Sequence, residues 1–252
     1  MINTPIIEFD YAETREATFM PWIDVEHIDL KSNAFVKRGY YYTRADHHGL
    51  FVGYAELKDF DQYISSFPID QFLIVIEGKI EITDQQGSRT TLGPQDTAVI
   101  PRYLGCQWKQ SEGTRVFFMN YEGASKAIEG IEHLAVVTPN LSDELDSISG
   151  PAAELVLTRP LPKVGRKVIY TDPTGQFTVG LWEASAYTRK LAAFKDYEIM
   201  HFIEGQVEIT NALDETRLFK ARETFVVNRG VSNAWKTESY VRKVYCKLSP
   251  AV

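Results

Sequence analysis

Cysteine, positive charge and long apolar runs are all in short supply in this sequence. Two cysteines, Cys106 and Cys246, allow at most one bridge, which excludes a disulfide framework and fits free thiols in a reducing compartment. Lysine and arginine number 27 against 34 acidic residues, a formal net charge of −7. No basic cluster stands out, which argues against general nucleic-acid binding, because phosphate contacts require grouped cations. No stretch approaches the roughly 18 apolar residues that cross a bilayer, and the amino-terminal segment has no basic region followed by an apolar core. The expectation is a soluble cytoplasmic protein with neither membrane nor nucleic acid as a partner.

The aromatic complement is rich: 13 Tyr, 14 Phe and 4 Trp in 252 residues lean toward β structure. That length suits one large domain or two ordinary ones, and an internal repeat decides for two. The segment from Phe51 lies over the segment from Thr178 without a gap. Gly53 and Gly180, Gly78 and Gly205, Thr83 and Thr210, Trp108 and Trp235, and Arg115 and Arg242 all stand 127 positions apart.

Each copy consists of short apolar runs of period two separated by turn signals. Gln71 to Ile76 reads as a strand, Glu77-Gly78 as a corner, Lys79 to Thr83 as a second strand and Asp84 to Gly87 as a turn. Gly78 and Gly205 are expected to bend the chain between strands. Several such strands at close spacing predict an all-β sandwich or barrel in each copy. Residues 1–36, with Pro21, Trp22 and Ile23, are expected to form an arm packed on a barrel. A first barrel over 37–123, a crossover linker over 124–164 with a short helix from Ala124 to Leu134, and a second barrel over 165–252 complete the expected layout.

Tyr197-Glu198-Ile199-Met200-His201-Phe202-Ile203-Glu204-Gly205, then Ile209-Thr210, Phe225-Val226-Val227, Gly230, Trp235 and Val241 to Tyr245, resemble the RmlC-like cupin superfamily. Within it the sequence is similar to the ethanolamine-utilisation-type cupins. The resemblance covers both repeats and implies a bicupin: two tandem cupin jelly-roll β-barrels born of internal duplication, similar in layout to ureidoglycine aminohydrolases and other bicupin enzymes.

Metal-binding cupins supply two His and a Glu ahead of the glycine corner and a third His from a later strand. In the second copy the resemblance puts Glu198 at the Glu position, Leu191, Ala192, Ala193 and Phe194 at the paired His positions, and Asn233 at the late one. The first copy has Gln71, then Ile64 to Phe67, then Cys106. His27, His47, His48 and His133 fall outside the aligned strands, and His201 is expected to face away from Glu198. Because a transition metal needs three or four converging ligands, no metal and no cofactor is expected.

Alternation places Glu198, Met200 and Phe202 on the inward face. A buried carboxylate needs a partner. Lys243 is the expected one, with Tyr245, Trp235 and Asn233 nearby, because Lys243 answers to Val116 as Glu198 answers to Gln71. The pair is open to two readings, a register-fixing ion pair or part of a ligand pocket. Trp108 and Trp235 are likewise open to core packing or a pocket wall. The candidate ligand-binding set is Glu198, Lys243, Tyr245, Asn233, Trp235 and Met200, with Gln71, Cys106, Trp108 and Phe118 as the equivalents in the first barrel. Cys106 is expected to be inert, and His47 and His48 to diverge into solvent.

The functional expectation is a small-molecule-binding bicupin whose partner is a small polar molecule, with the pocket in the second barrel. A hydrolase or isomerase of a small polar metabolite is the alternative. A purely structural dimerisation module is a third class, expected to have both barrels filled. Association into a homodimer is a further expectation.

Overall fold

Strand-forming alternation is visible residue by residue. In Ile80–Asp84, Ile80 and Ile82 are buried while Glu81 and Thr83 are partly exposed. The structure, a computed structural model, describes residues 7–8, 35–123 and 133–251. These fall into two compact units: residues 35–123, 133–138 and 172–175 in one, and residues 7–8, 139–171 and 176–251 in the other.

The strands run in chain order from β1 (Ile7–Glu8), which joins the second unit. The first unit holds β2 (Val36–Ala45), a 3-10 turn (Asp46–His48), β3 (Leu50–Leu57), β4 (Phe60–Ile64), β5 (Asp70–Glu77), β6 (Ile80–Asp84), β7 (Arg89–Leu92), β8 (Thr97–Ile100), β9 (Cys106–Gln110) and β10 (Arg115–Tyr121). The second unit holds β11 (Asp146–Ile148), β12 (Val164–Thr171), β13 (Phe177–Ala184), β14 (Tyr187–Ala193), β15 (Tyr197–Glu204), β16 (Gln206–Asn211), β17 (Thr216–Lys220), β18 (Thr224–Val227), β19 (Ser232–Thr237) and β20 (Val241–Leu248).

Two antiparallel sheets make each unit. The first combines β2-β3-β10-β5-β8 with β4-β9-β6-β7. The second combines β1-β18-β15-β20-β13-β12-β11 with β14-β19-β16-β17. The common part of the strand order is identical, and the repeat offset carries β3, β5 and β8 onto β13, β15 and β18 end to end. Each core gathers side chains from both sheets of its unit: Leu73, Phe118, Ile82 and Trp108 in the first, Phe202, Phe225, Ile209 and Trp235 in the second. The fold is therefore all-β, two tandem jelly-roll barrels.

Gly78 and Gly205 sit at the corners with φ of +84° and +79°, the left-handed region in which a side chain is strained. At Gly205 an added Cβ would also lie 2.3 Å from the Tyr240 carbonyl oxygen.

Part of the stretch expected to be a crossover is sheet: β11 pairs with β12, Ile148 opposite Val164. From the amino-terminal arm, Ile7 and Glu8 pair with Val226 and Phe225 of β18. Pro21, Trp22 and Ile23 lie outside the described residues, as does the helix expected from Ala124, apart from its last two positions. Among the described residues no helix is long and apolar enough to cross a membrane.

Candidate functional site

Glu198, Met200 and Phe202 alternate along β15, and β20 runs antiparallel beside it with Tyr245 opposite Met200 and Lys243 opposite Phe202. On its other side β20 meets β13, which places Trp182 opposite Lys243. Register thus assembles the centre of the site. Lys243 Nζ donates to Glu198 Oε1 at 2.7 Å and to Met200 Sδ at 3.0 Å. The same ammonium lies 4.9 Å and 5.5 Å from the ring centroids of Trp182 and Trp235, within cation–π range.

Around this pair is a cavity of about 250 Å³. Trp182, Tyr187, Phe194, Trp235 and Tyr245 give it aromatic walls, Arg166, Arg189, Lys243 and Lys247 supply cations, and Asp196 and Glu198 supply carboxylates. Lys247 pairs with Asp196 at 3.2 Å, and Arg189 donates to Asn233 Oδ1 at 2.7 Å. Burial pulls Lys243 down from the ordinary lysine value, and the Glu198 carboxylate opposes that shift. Burial pushes the Tyr245 phenol up to about 12 and raises that of Tyr187 as well, so both are neutral hydroxyls at neutral pH.

Of the residues singled out from sequence, Glu198, Lys243, Tyr245 and Trp235 line the cavity. Met200 lies beneath it, buried against the Lys243 ammonium. Asn233 is fully buried and reaches the cavity through Arg189, not as part of its lining. Sequence reasoning passed over Arg166, Trp182, Tyr187, Arg189, Asp196 and Lys247. The signal that exposed Glu198 and Lys243 was available for them too: at the constant repeat offset their counterparts are Gly39, Ala55, Phe60, Gln62, Ile69 and Asn120, mostly uncharged or apolar where the second copy is charged or aromatic.

Those counterparts explain the first barrel. Ala55, Phe60, Phe67, Ile69, Trp108, Val116 and Phe118 are all buried members of one apolar core. Gln71, in place of Glu198, donates to Asn120 Oδ1 at 2.8 Å, and Trp108 Nε1 donates to Gln110 Oε1 at 2.8 Å. Cys106 is wholly buried in the same core, and burial pushes its thiol up to about 12, helped by Asp84. In a Cys246→Ser variant, Cys106 is therefore expected to resist a thiol-exchange reagent at pH 8 in the folded protein and to react promptly once unfolded, as read by absorbance. Equal rates in both states would contradict its seclusion.

The histidines need one correction. His47 and His48 do not diverge on extended backbone: they occupy the 3-10 turn that closes at Gly49, which brings their rings to 4.0 Å between centroids. His201 faces away from the cavity, buried, with Nδ1 2.9 Å from Thr224 Oγ1.

A family model for the EutQ-like cupin domain matches residues 63–118 and 171–245, more than half of the chain. The chain belongs to the EutQ-like cupin family. A protein of unknown function from Pseudomonas syringae pv. tomato has a similar structure, with TM-score 0.78, 21% identity, and coverage of 93% of this chain and 94% of that one. A cupin 2 conserved barrel domain protein from Leptotrichia buccalis aligns with TM-score 0.55 and 10% identity over 83% and 88% of the two chains. A putative glyoxylate-induced protein from Pseudomonas aeruginosa aligns with TM-score 0.52 and 14% identity over 90% and 85%. At these identities the likeness is one of fold. No curated protein matches the chain.

Metal-binding cupins set the test for a metal ion in this EutQ-like cupin. Leu191, Ala192, Ala193, Phe194 and Asn233 stand where imidazoles would be needed, and Glu198, the surviving ligand type, already holds the Lys243 ammonium. Among the described residues no three His, Cys, Asp or Glu side chains converge. These residues do not fit a metal ion.

Proposed function

We propose that the second barrel of this cupin binds a small polar molecule and that the first barrel, an internally duplicated copy of the same unit, serves as scaffold. The observation that carries this reading is the contrast at equivalent positions. Where the first copy has Phe60, Ile69 and Val116 in its core, the second has Tyr187, Asp196 and Lys243 around a cavity of about 250 Å³. Aromatic walls with a few placed polar groups are what small-molecule sites present. A wider groove along Thr158 to Lys163 and Lys236 to Glu238 has half of its lining residues exposed and no buried ion pair, so it is the weaker candidate.

Trp182 and Trp235 supply the test. A panel of small metabolites screened by intrinsic fluorescence and thermal shift is expected to yield saturable changes that Trp235→Phe diminishes and Trp108→Phe preserves. Saturable signals that depend on Trp108 instead, or none from any class of compound, would overturn the reading.

A hydrolase or isomerase is the second reading, favoured by the contact of Lys243 with Glu198 inside the cavity. A pair in which the carboxylate accepts a proton and the ammonium donates one has the composition general acid–base chemistry uses. Turnover of any ligand found above, lost in Glu198→Gln with binding retained, would decide for it.

A further inference from the structure

We infer that the ligand of the second barrel is a small carboxylate held by Arg166 and Arg189; this rests on the binding function proposed above. The charge balance of the cavity carries the inference. Both lysines of the lining have carboxylate partners, Lys243 with Glu198 and Lys247 with Asp196. Neither arginine has one among the described residues: Arg189 donates only to the neutral Asn233, and Arg166 makes no hydrogen bond or ion pair there. Two guanidiniums without a carboxylate partner among the described residues, Arg189 half-buried and Arg166 exposed, therefore line one cavity in a protein of net charge −7. The guanidinium fork matches the planar, bidentate geometry of a carboxylate.

Hydrogen-bond capacity points the same way. Trp235 Nε1 and Tyr245 OH, both on residues of the lining, have no partner among the described residues. The first barrel supplies the control: Trp108 satisfies its indole through Gln110, but the equivalent position is Thr237, whose hydroxyl donates to the Gln206 and Ser239 carbonyls. A lining with surplus donors suits a ligand rich in acceptors.

Size and walls narrow the class. At roughly 30 Å³ per water-sized volume, the cavity suits a ligand of roughly eight non-hydrogen atoms. Trp182, Tyr187 and Trp235 suit a short carbon frame, which inorganic phosphate lacks.

The experiment is a titration of the full chain, followed by tryptophan fluorescence and calorimetry, with short carboxylates including succinate and benzoate. Succinamide, benzamide, phenyl phosphate and benzylamine are the comparison ligands. Saturable carboxylate binding is expected, weakened about tenfold or more in the amides and weakened by added salt. Arg166→Gln, at an exposed position that spares the core, and Arg189→Gln are each expected to weaken it about tenfold or more, while Arg89→Gln on β7 leaves it unchanged. Arg189→Lys retains the charge without the fork and is expected to fall between. Amides binding as well as carboxylates, indifference to both arginine substitutions, or saturation by phenyl phosphate alone would overturn the assignment. Saturation by neutral or cationic compounds without carboxylates overturns this inference and leaves the binding function standing; no saturation by any class overturns both.

Discussion

Lys243→Met is expected to destabilise the second barrel by about 3 kcal/mol, the scale seen when one partner of a buried ion pair is removed. The Lys243 and Glu198 side chains are only 7% and 14% exposed, so the stranded carboxylate keeps little hydration. The loss should be largely recovered in the double variant Glu198→Gln with Lys243→Met, because the uncharged pair no longer needs compensation. The first barrel already carries such a solution, with Gln71 and Val116 at these two positions. Denaturant unfolding followed by tryptophan fluorescence reads both variants. A double variant as unstable as Lys243→Met would show that the loss comes from packing of the lysine stem and not from the orphaned charge.

Stability should also fall between pH 7 and pH 5 by about 2 kcal/mol through His201 alone. Burial lowers its pKa from 6.5 to about 4, so in this window the unfolded chain binds a proton that the folded chain refuses. The contribution is therefore fully present above the unfolded value and is lost progressively as pH falls toward the folded one. His201→Gln, which retains a polar partner for Thr224, is expected to flatten that slope. Carboxylates with lowered pKa act in a more acidic range. Asp61, held below its ordinary value first by the hydrogen bond from Lys109, loses its contribution as pH falls from the ordinary carboxylate value toward its own lowered one. A slope unchanged in His201→Gln would assign the pH dependence elsewhere.

Much of the fold was legible because β structure writes itself in local periodicity. Gly205 marked its corner since a positive φ strains any residue with a side chain, and Ile80 and Ile82 marked their inward face by spacing alone. Glu198 and Lys243 were found through the repeat, which turns two charges absent from one copy into a clue about the other. Met200 was placed inward by alternation and lies under the ammonium. His47 is exposed as expected and His48 half-buried, but the closeness of their rings was missed because a single 3-10 turn leaves no periodic trace in three residues.

Arg166 and Arg189 illustrate what periodicity could not supply. They sit on strands of different sheets, β12 and β14, and nothing in the spacing between them says that both line one cavity. Whether a barrel is filled or hollow is likewise a matter of summed volumes across two sheets: Phe60 against Tyr187, or Val116 against Lys243, differ modestly one at a time. From the linear chain alone came the β class and its inward faces, which depend on neighbours within a few residues, and the two tandem barrels, which show as a repeat held at a constant offset of 127 positions. The arginine pair, the orphaned indole of Trp235 and the cavity itself were decided by long-range pairing of strands, which brings together residues that no local pattern connects.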